Sequence, residues 1–457
     1  MIGRGEIVAR VREWGLRESV VEKDYALGWL LWGIGSDPEL AVSWAFKGGT
    51  CLKKCYLETY RFSEDLDFTV LPGPALDDAA VGAALRRVLA RVSEASGIDF
   101  ATREPVIRAR PNGQSMEGRV YYRGPLGAPE AASIKLDLST TEVVARPTVL
   151  RSISHPYPDE LPGAGSVRCY SFDEVFAEKL RAMGERGRPR DLYDIVNLFW
   201  RGDLRAHGPE IRAVLEDKCR TKGVPVPTYE SIAGAATRAD LETEWANMLD
   251  HQLPALPPFD SFWAEVPRLF GWLEGEAEAA PLAAMALGAD DDAAWSPPPT
   301  VWTWGQGFSL ESIRFAAANR LCVELGYHGS RRVIEPYSLR RTRAGYLLLH
   351  AIRADNRQHR SYRVDQIASV HVTARPFRPV YRIEFAATGG LVAPPGRGAV
   401  RAWAAGRGDE TTYIIECPRC DRLFRRKTRS TELRAHKDAD GYPCGGRRGY
   451  LVDEVYR

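Results

Sequence analysis

The sequence predicts an α+β protein of more than one domain, on three observations. Helical periodicity and strand-like alternation fall in separate blocks, with alternation concentrated between residues 99 and 148. Residues 274–300 are Ala-rich, acidic at Asp290-Asp291-Asp292, and end in Ser296-Pro297-Pro298-Pro299, a composition that marks a linker. At 457 residues, the chain is longer than one typical domain. Hydrophobic residues at 44% and charged residues at 27% suit a soluble globular protein. No apolar run is long enough to span a bilayer, and the charged N-terminus lacks a signal-peptide core, so a cytoplasmic protein with no membrane partner is expected. The net charge of +2 hides an asymmetry: residues 1–300 carry −11 and residues 301–457 carry +13. Nucleic acid is the natural partner of the basic half.

The elements follow in order. Residues 6–14 and 20–34 read as helices, the second with a broad apolar face (Val21, Tyr25, Leu27, Trp29, Leu30, Trp32). Within it, Glu22-Lys23-Asp24-Tyr25 reads either as a solvated first turn or as the wall of a cleft. The short apolar run Ala45-Phe46 leads into Lys47-Gly48-Gly49-Thr50, and residues 51–60 look helical. Residues 77–95 form an amphipathic helix. Strands are expected at 107–110, 118–123 and 132–139. Ser171-Phe172-Asp173-Glu174 is a capping box that starts a helix reaching Arg186, and Asp191 opens another after a basic loop. Residues 254–273 close the front half as an aromatic-rich helical region.

Chemistry concentrates between Phe46 and Val70. On a strand, residues two apart share a face, so Asp65 and Asp67 aim two carboxylates at one point while Leu66 and Phe68 turn to the core. Crowded carboxylates call for a cation, and oxygen ligands of this kind suit Mg²⁺ held together with substrate phosphates. Upstream, Gly48-Gly49 lets backbone N–H groups approach an anion. A phosphate cradle followed by Asp-x-Asp is the layout of a nucleotidyl-transfer site. In the strand at 132–139, Lys135, Asp137 and Ser139 share the face opposite Ile134, Leu136 and Leu138. Asp137 is either a third metal-binding carboxylate or a cross-strand ion-pair partner. Lys179, Arg188 and Arg190 are candidates for holding a triphosphate, with Asp191 and Asp194 keeping those cations in place; a basic loop capped by acids is the alternative.

With these motifs in order, the first 275 or so residues resemble the AbiEii/AbiGii nucleotidyltransferase toxins of the polymerase-β-like superfamily. The resemblance rests on Glu22-Lys23-Asp24-Tyr25, Phe46-Lys47-Gly48-Gly49-Thr50, Arg61-Phe62-Ser63-Glu64-Asp65-Leu66-Asp67, Lys135-Leu136-Asp137, and Glu178-Lys179 with Arg190-Asp191-Leu192-Tyr193-Asp194. It implies a mixed sheet flanked by helices, NTP binding, and Mg²⁺-dependent nucleotide transfer to an acceptor, in some members the tRNA 3′ end. It implies that Lys47, Gly48, Gly49, Thr50 and Ser63 belong to the nucleotide-binding set. Asp65, Asp67 and Asp137 would bind metal, and Lys135, Lys179 and Arg190 would neutralise phosphate, oriented by Asp191 and Asp194. It also makes the helix at Glu22 a cleft wall and implies a separate antitoxin protein.

In the back half, residues 309–320 read as a helix, followed by strands at 321–327, 333–340 and 346–351 and a further element at 361–367. This resembles a WYL domain, a small Sm-like β-barrel, and its ligand-binding polar positions match Tyr337, Ser338, Arg360 and Arg363. A barrel that only mediates dimer contacts is the alternative. Cys417-Pro418-Arg419-Cys420, then His436 and Cys444, present three sulfurs and an imidazole at the spacing of a tetrahedral structural Zn²⁺ site. Cys-x-x-Cys alone would also suit redox chemistry. Cations such as Arg422, Arg425, Arg426, Lys427 and Arg429, with Phe424, Tyr442 and Tyr450, suit single-stranded nucleic acid or a small core.

The expected organisation is a nucleotidyltransferase domain over 1–275, a linker over 276–300, a WYL-like barrel over 301–400 and a zinc module over 401–457. The expected function is a nucleotidyltransferase toxin of a toxin–antitoxin or phage-defence system that transfers NMP from NTP to RNA. The alternatives are a nucleic-acid-binding defence regulator with a non-catalytic front half, or an enzyme that nucleotidylates protein.

Overall fold

The computed structural model describes residues 1–57, 61–71, 77–111, 114–277, 282–285, 310–342, 346–385, 411–417, 420, 423–428, 430–437, 443–448 and 450–456. The chain divides into two compact units, Met1–Pro394 and Pro395–Arg457. Tyr60, Arg422, Arg429, Tyr442 and most of the expected linker lie outside the described residues.

The first unit is built on a seven-stranded mixed sheet. Its strands are β1 (Trp44–Lys47), β2 (Asp65–Val70), β3 (Val106–Ala109), β4 (Ser115–Tyr122), β5 (Ala132–Ser139), β6 (Val149–Ser152) and β7 (Ser166–Cys169). They lie in the order β3-β4-β5-β2-β1-β7-β6. β2 runs parallel to β5 and β1 parallel to β7, and the other pairs are antiparallel. The alternation expected for 132–139 is realised over the same bounds, and it sends Ile134, Leu136 and Leu138 into the core. On β2, Leu66 and Phe68 are fully buried, each stabilising the fold by about 1.5–3 kcal/mol. That burial fixes which face the intervening aspartates take.

Helices α1 (Arg4–Trp14), α2 (Glu18–Ser36), α3 (Leu40–Ser43), α4 (Gly48–Cys51), α5 (Asp78–Ser96), α6 (Phe172–Arg186), α7 (Pro189–Trp200) and α8 (Gly208–Lys222) flank the sheet and complete its core. They are followed by α9 (Tyr229–Ile232), α10 (Ala235–Leu249), α11 (Phe259–Trp263) and α12 (Val266–Leu273). Local signals set the ends of two of them. Asp77 accepts from the Ala80 N–H at 2.8 Å to start α5, and Ser171 accepts from the Glu174 N–H at 3.3 Å to start α6. The reciprocal half of the expected capping box is replaced, because the buried Glu174 carboxylate accepts instead from the Ala145 and Arg146 N–H groups and pairs with Lys218. The continuous helix expected over 51–60 is instead α4 running into a π-helical turn at Leu52–Tyr56. Among the described residues, no helix is long and apolar enough to cross a membrane.

The same unit carries a separate antiparallel sheet of β8 (Leu321–Tyr327), β9 (Ser330–Arg341), β10 (Leu347–Arg353), β11 (His359–Arg363) and β12 (Ile367–Pro376), in the order β11-β10-β9-β8-β12. Helix α13 (Leu310–Ala318) precedes it. Tyr193 on α7 donates to Asn319 at 2.8 Å, Arg320 pairs with Glu265 at 3.1 Å, and the Arg320 guanidinium lies 3.9 Å from the Trp200 ring centre. Arg10 and Glu13 of α1 are an ion pair, Glu311 and Arg314 of α13 another at 2.6 Å, and Lys53 lies within electrostatic reach of both Glu311 and Arg314. Burial pushes the Glu311 carboxyl up to about 8.

The second unit contains a three-stranded sheet, in which β13 (Thr411–Glu416) lies between β14 (Leu423–Arg426) and β17 (Tyr450–Tyr456). β15 (His436–Lys437) pairs with β16 (Pro443–Cys444).

Candidate active site

Strand register assembles the site. Across four neighbouring strands, Lys47 pairs with Asp67, Asp67 with Asp137, and Asp137 with Glu117. One step along, Asp65 pairs with Lys135 and Lys135 with Arg119. One row thus carries three neighbouring acids beside Lys47 and the next sets two cations beside Asp65, all on the sheet face opposite the buried Leu66, Phe68, Leu136 and Leu138.

Gly48 closes the cradle. Its φ of +80° is left-handed, and a Cβ there would come within 2.3 Å of the Asp67 Oδ2. A Cβ on Gly49 would meet the Arg61 guanidinium at 2.6 Å. Gly48 therefore needs glycine for the turn as well as for close approach, and Gly49 for close approach. The Thr50 hydroxyl donates to the Asp65 carbonyl at 2.5 Å, tying the start of the helix to the strand that carries the carboxylates. The Ser63 hydroxyl lies near Gly49.

Burial raises both the Asp65 and Asp67 carboxyls, and Asp137 pushes the same way. Lys135 opposes this at Asp65 and Lys47 at Asp67. Asp137 accepts from Lys135 at 2.6 Å and from Arg110 at 2.5 Å. Its ion-pair role is thus present in the fold, on the same face as Asp67. The donor set is all oxygen, the carboxylates are crowded, and glycine keeps the space beside Asp67 clear. The residues therefore fit a hard divalent cation.

Lys179, Asp191 and Asp194 converge from α6 and α7. Asp194 is fully buried, and Arg61 grips it through two bonds of 2.7 and 2.8 Å while Lys179 pairs with it at 2.8 Å. Burial alone would raise this carboxyl, but Arg61 and Lys179 hold it well below its ordinary 3.8. Asp191 is gripped by Arg186 through two 2.8 Å bonds, with Lys179 at 3.9 Å. Arg190 donates to the Met248 carbonyl at 3.3 Å, and burial lowers its guanidinium, with Arg61 nearby acting in the same direction.

A cavity of about 420 Å³ opens on this face. Lys47, Gly48, Asp67, Asp137 and Lys179 line it, together with residues that sequence reasoning did not assign to the site: Arg110, Glu142, Arg181, Arg186 and Lys222. Glu142 pairs with Lys47 and accepts from Thr69 and Tyr170 at 3.3 Å each. Arg186 had a signal, because it sits in the basic loop before α7. Glu142 and Lys222 had none, since neither belongs to a motif or a regular face.

The Glu22 cluster has mainly structural partners. Glu22 accepts from the Leu126 N–H at 2.7 Å, Lys23 pairs with Glu64 at 2.5 Å, and Asp24 binds Lys54 at 2.8 Å and Tyr157 at 3.0 Å. In the five-stranded sheet, Tyr337 packs with Cys322, Ile352 and Phe377, and Ser338 is buried opposite His350. Arg360 and Arg363 lie on β11, beyond β10, and bond Gln358 and Asp365. The fold does not bring these four residues into one cluster.

In the second unit, the ligand atoms of Cys417, Cys420, His436 and Cys444 all lie within 4.8 Å of one another. The Cys417 and Cys444 sulfurs are 3.8 Å apart, and the Cys420 sulfur is 3.4 Å from His436 Nε2. The other ring nitrogen, Nδ1, lies 2.9 Å from the Arg434 carbonyl, the orientation seen in metal-ligating histidines. These residues form a possible Cys/His metal site.

Residues 29–265 match the family described as nucleotidyl transferase AbiEii toxin, type IV toxin–antitoxin system, over a little more than half of the chain. Among solved structures, the nucleotidyltransferase toxin MenT4 of Mycobacterium tuberculosis H37Rv is 22% identical with a TM-score of 0.41, covering 61% of this chain and 91% of that one. An antigenic nucleotidyltransferase-like protein from Paracoccidioides brasiliensis is 14% identical with a TM-score of 0.24, covering 44% and 89%. The proteasome accessory factor PafBC of Arthrobacter aurescens is 13% identical with a TM-score of 0.17, covering 84% and 36%. No curated protein sequence matches the chain.

Proposed function

The chain belongs to the AbiEii nucleotidyltransferase toxin family of type IV toxin–antitoxin systems, and from that premise we propose that it transfers NMP from an NTP to an RNA acceptor, a tRNA 3′ end. Membership makes it a nucleotidyltransferase, which uses an NTP and a divalent metal, and implies a cognate antitoxin. The observation that carries the reading is the row Lys47, Asp67, Asp137 beside the left-handed Gly48, opening on a cavity rimmed by further cations.

In this reading, an acceptor hydroxyl attacks the α-phosphorus. The new O–P bond forms as the bond to the β-phosphate bridging oxygen breaks, and pyrophosphate leaves with that electron pair. Asp65 and Asp67 would hold Mg²⁺, which would supply charge neutralisation at the phosphates. Gly48, Gly49 and Thr50 present backbone to the triphosphate, with Lys47 and Ser63 at its edge. Lys179 and Arg190 face the phosphates, positioned by Asp194 and Asp191. Lys135 and Arg110 pair with Asp137, which would be the third carboxylate to hold the metal.

The same reading places the nucleotidyltransferase domain at 1–275, a linker at 276–300, a WYL-like Sm-type barrel at 301–400 and a Zn²⁺ module at 401–457, in a cytoplasmic phage-defence protein. The buried Tyr193–Asn319 bond supports a controlling role for the five-stranded sheet, because Tyr193 neighbours Asp194 on α7.

The test is incubation of the full chain with Mg²⁺, total tRNA, a protein extract and each α-³²P-NTP in turn, followed by nuclease or protease treatment. Label removed by nuclease alone supports RNA transfer. Label removed by protease alone moves the reading to protein nucleotidylation. No label, with duplex DNA bound tightly and sequence-specifically, favours a nucleic-acid-binding regulator.

A further inference from the structure

Directly behind the nucleotide loop lies a second group of sulfurs that the catalytic reading does not use. Cys51 ends α4 and Cys55 lies four residues on, within the π-helical turn; Cys169 ends β7. The pairing of β1 with β7 sets Cys169 beside Phe46, two residues before Gly48. Exposures are 0% for Cys51, 2% for Cys55 and 0% for Cys169. The three sulfurs lie within 4.8 Å of one another.

We propose that Cys51, Cys55 and Cys169 form a three-thiolate site for a thiophilic d¹⁰ metal ion. Its geometry follows from bond lengths. With metal–sulfur bonds of about 2.3 Å, a trigonal ion separates its sulfurs by about 4 Å, inside the spacing found. Thiolates select soft ions such as Cu⁺, Zn²⁺ and Cd²⁺ over the Mg²⁺ that suits carboxylates. The π-helical turn matters here, because it reshapes the backbone between Cys51 and Cys55. The surroundings supply part of the charge balance: the Arg151 guanidinium donates to the Cys55 carbonyl at 3.1 Å and lies 4.7 Å from the Tyr56 ring centre. The Tyr56 hydroxyl, anchored on the Tyr170 carbonyl at 2.5 Å, sits 3.8 Å from the Cys169 sulfur. Binding needs all three sulfurs as thiolates, so loading releases protons to the buffer and leaves a complex of charge −1 for a divalent ion. The bound ion would tie the segment that follows Gly48-Gly49-Thr50 to β7.

The test is a Cd²⁺ titration of the full chain, read by thiolate-to-metal charge-transfer absorbance and by proton release. Wild type takes up two equivalents, one at this site and one at Cys417/Cys420/His436/Cys444. Cys169→Ser and, separately, Cys51→Ser each take up one, with a far-UV spectrum and NTP affinity that show the fold is kept. Cys417→Ser/Cys444→Ser retains one equivalent, with thiolate-to-metal absorbance and proton release, and Cys322→Ser, which removes a lone thiol, retains two. Uptake of two equivalents by Cys169→Ser and Cys51→Ser, or of none by Cys417→Ser/Cys444→Ser, overturns the proposal. Should both serine variants unfold, Cys417→Ser/Cys444→Ser decides: thiolate-to-metal absorbance saturating at one equivalent supports the site, and no such absorbance overturns it.

Discussion

The carboxylate face of the seven-stranded sheet and the Cys/His cluster of the second unit both gather potential metal ligands, and they are built on opposite principles. On the seven-stranded sheet, Asp65, Asp67 and Asp137 are oxygen donors interleaved with Lys47, Lys135 and Arg110, beside a cavity. In the second unit, three sulfurs and an imidazole close on one point, and Gly446 is so near that a Cβ there would lie 2.4 Å from the Cys417 sulfur. The first region keeps its charges apart with cations that substrate phosphate and metal would displace, which suits exchange of ligands during turnover. The second brings four Cys and His ligand atoms to one point, the donor set of a structural site. Ligand chemistry and the neighbouring space together distinguish the two.

The comparison can be broken most strongly at the carboxylates. Asp65→Ala/Asp67→Ala is expected to lower transfer by roughly a thousandfold or more while the chain stays folded, measured as labelled product beside a circular dichroism spectrum. Near-normal product would remove the working site from this face.

Next in size is Asp194. Its replacement by Ala leaves Arg61 and Lys179 without their buried acid and is expected to cost about 3–5 kcal/mol in urea unfolding. The sign with pH follows from the depressed carboxyl. The folded pKa lies below the ordinary 3.8, so the stabilisation is complete above that value and is lost as pH falls below it through the folded pKa. Unfolding followed from pH 7 downward should therefore show wild type losing its advantage over Asp194→Asn in that acid range, and a constant difference would contradict the assignment.

The Cys/His cluster is tested by Cys417→Ser/Cys444→Ser, which leaves the rest of the chain untouched. It should make the unit Pro395–Arg457 sensitive to protease and leave the unfolding midpoint of Met1–Pro394 unchanged. A smaller effect is expected at Glu142→Gln, which loosens Lys47. NTP affinity should fall by about tenfold or less, since one charge-assisted bond is lost, and steady-state KM would report it.

Much of the site was legible because it is local. Asp65 and Asp67 are two residues apart, β5 alternates cleanly, and the Ser171 N-cap stands in the sequence as it does in the fold. What could not be read depends on distant chain segments. β6 and β7 are four residues each and carry polar interruptions, so they are strands only through their neighbours. The π-helical turn has no periodic signature, and the grip of Arg110 on Asp137 spans 27 positions. Glu142 reaches Lys47 across 95. The four residues expected to bind a ligand in the back half were adjacent by analogy only; β10 separates them in pairs.

The most direct test of the account is Mn²⁺ binding by electron paramagnetic resonance, with a non-hydrolysable NTP analogue present, in wild type and in Asp65→Asn/Asp67→Asn. The account predicts an Mn²⁺ bound to wild type with the analogue and lost in the variant, while Cys417→Ser/Cys444→Ser keeps it. Equal Mn²⁺ binding by wild type and the aspartate variant would contradict the claim that these carboxylates hold the catalytic metal.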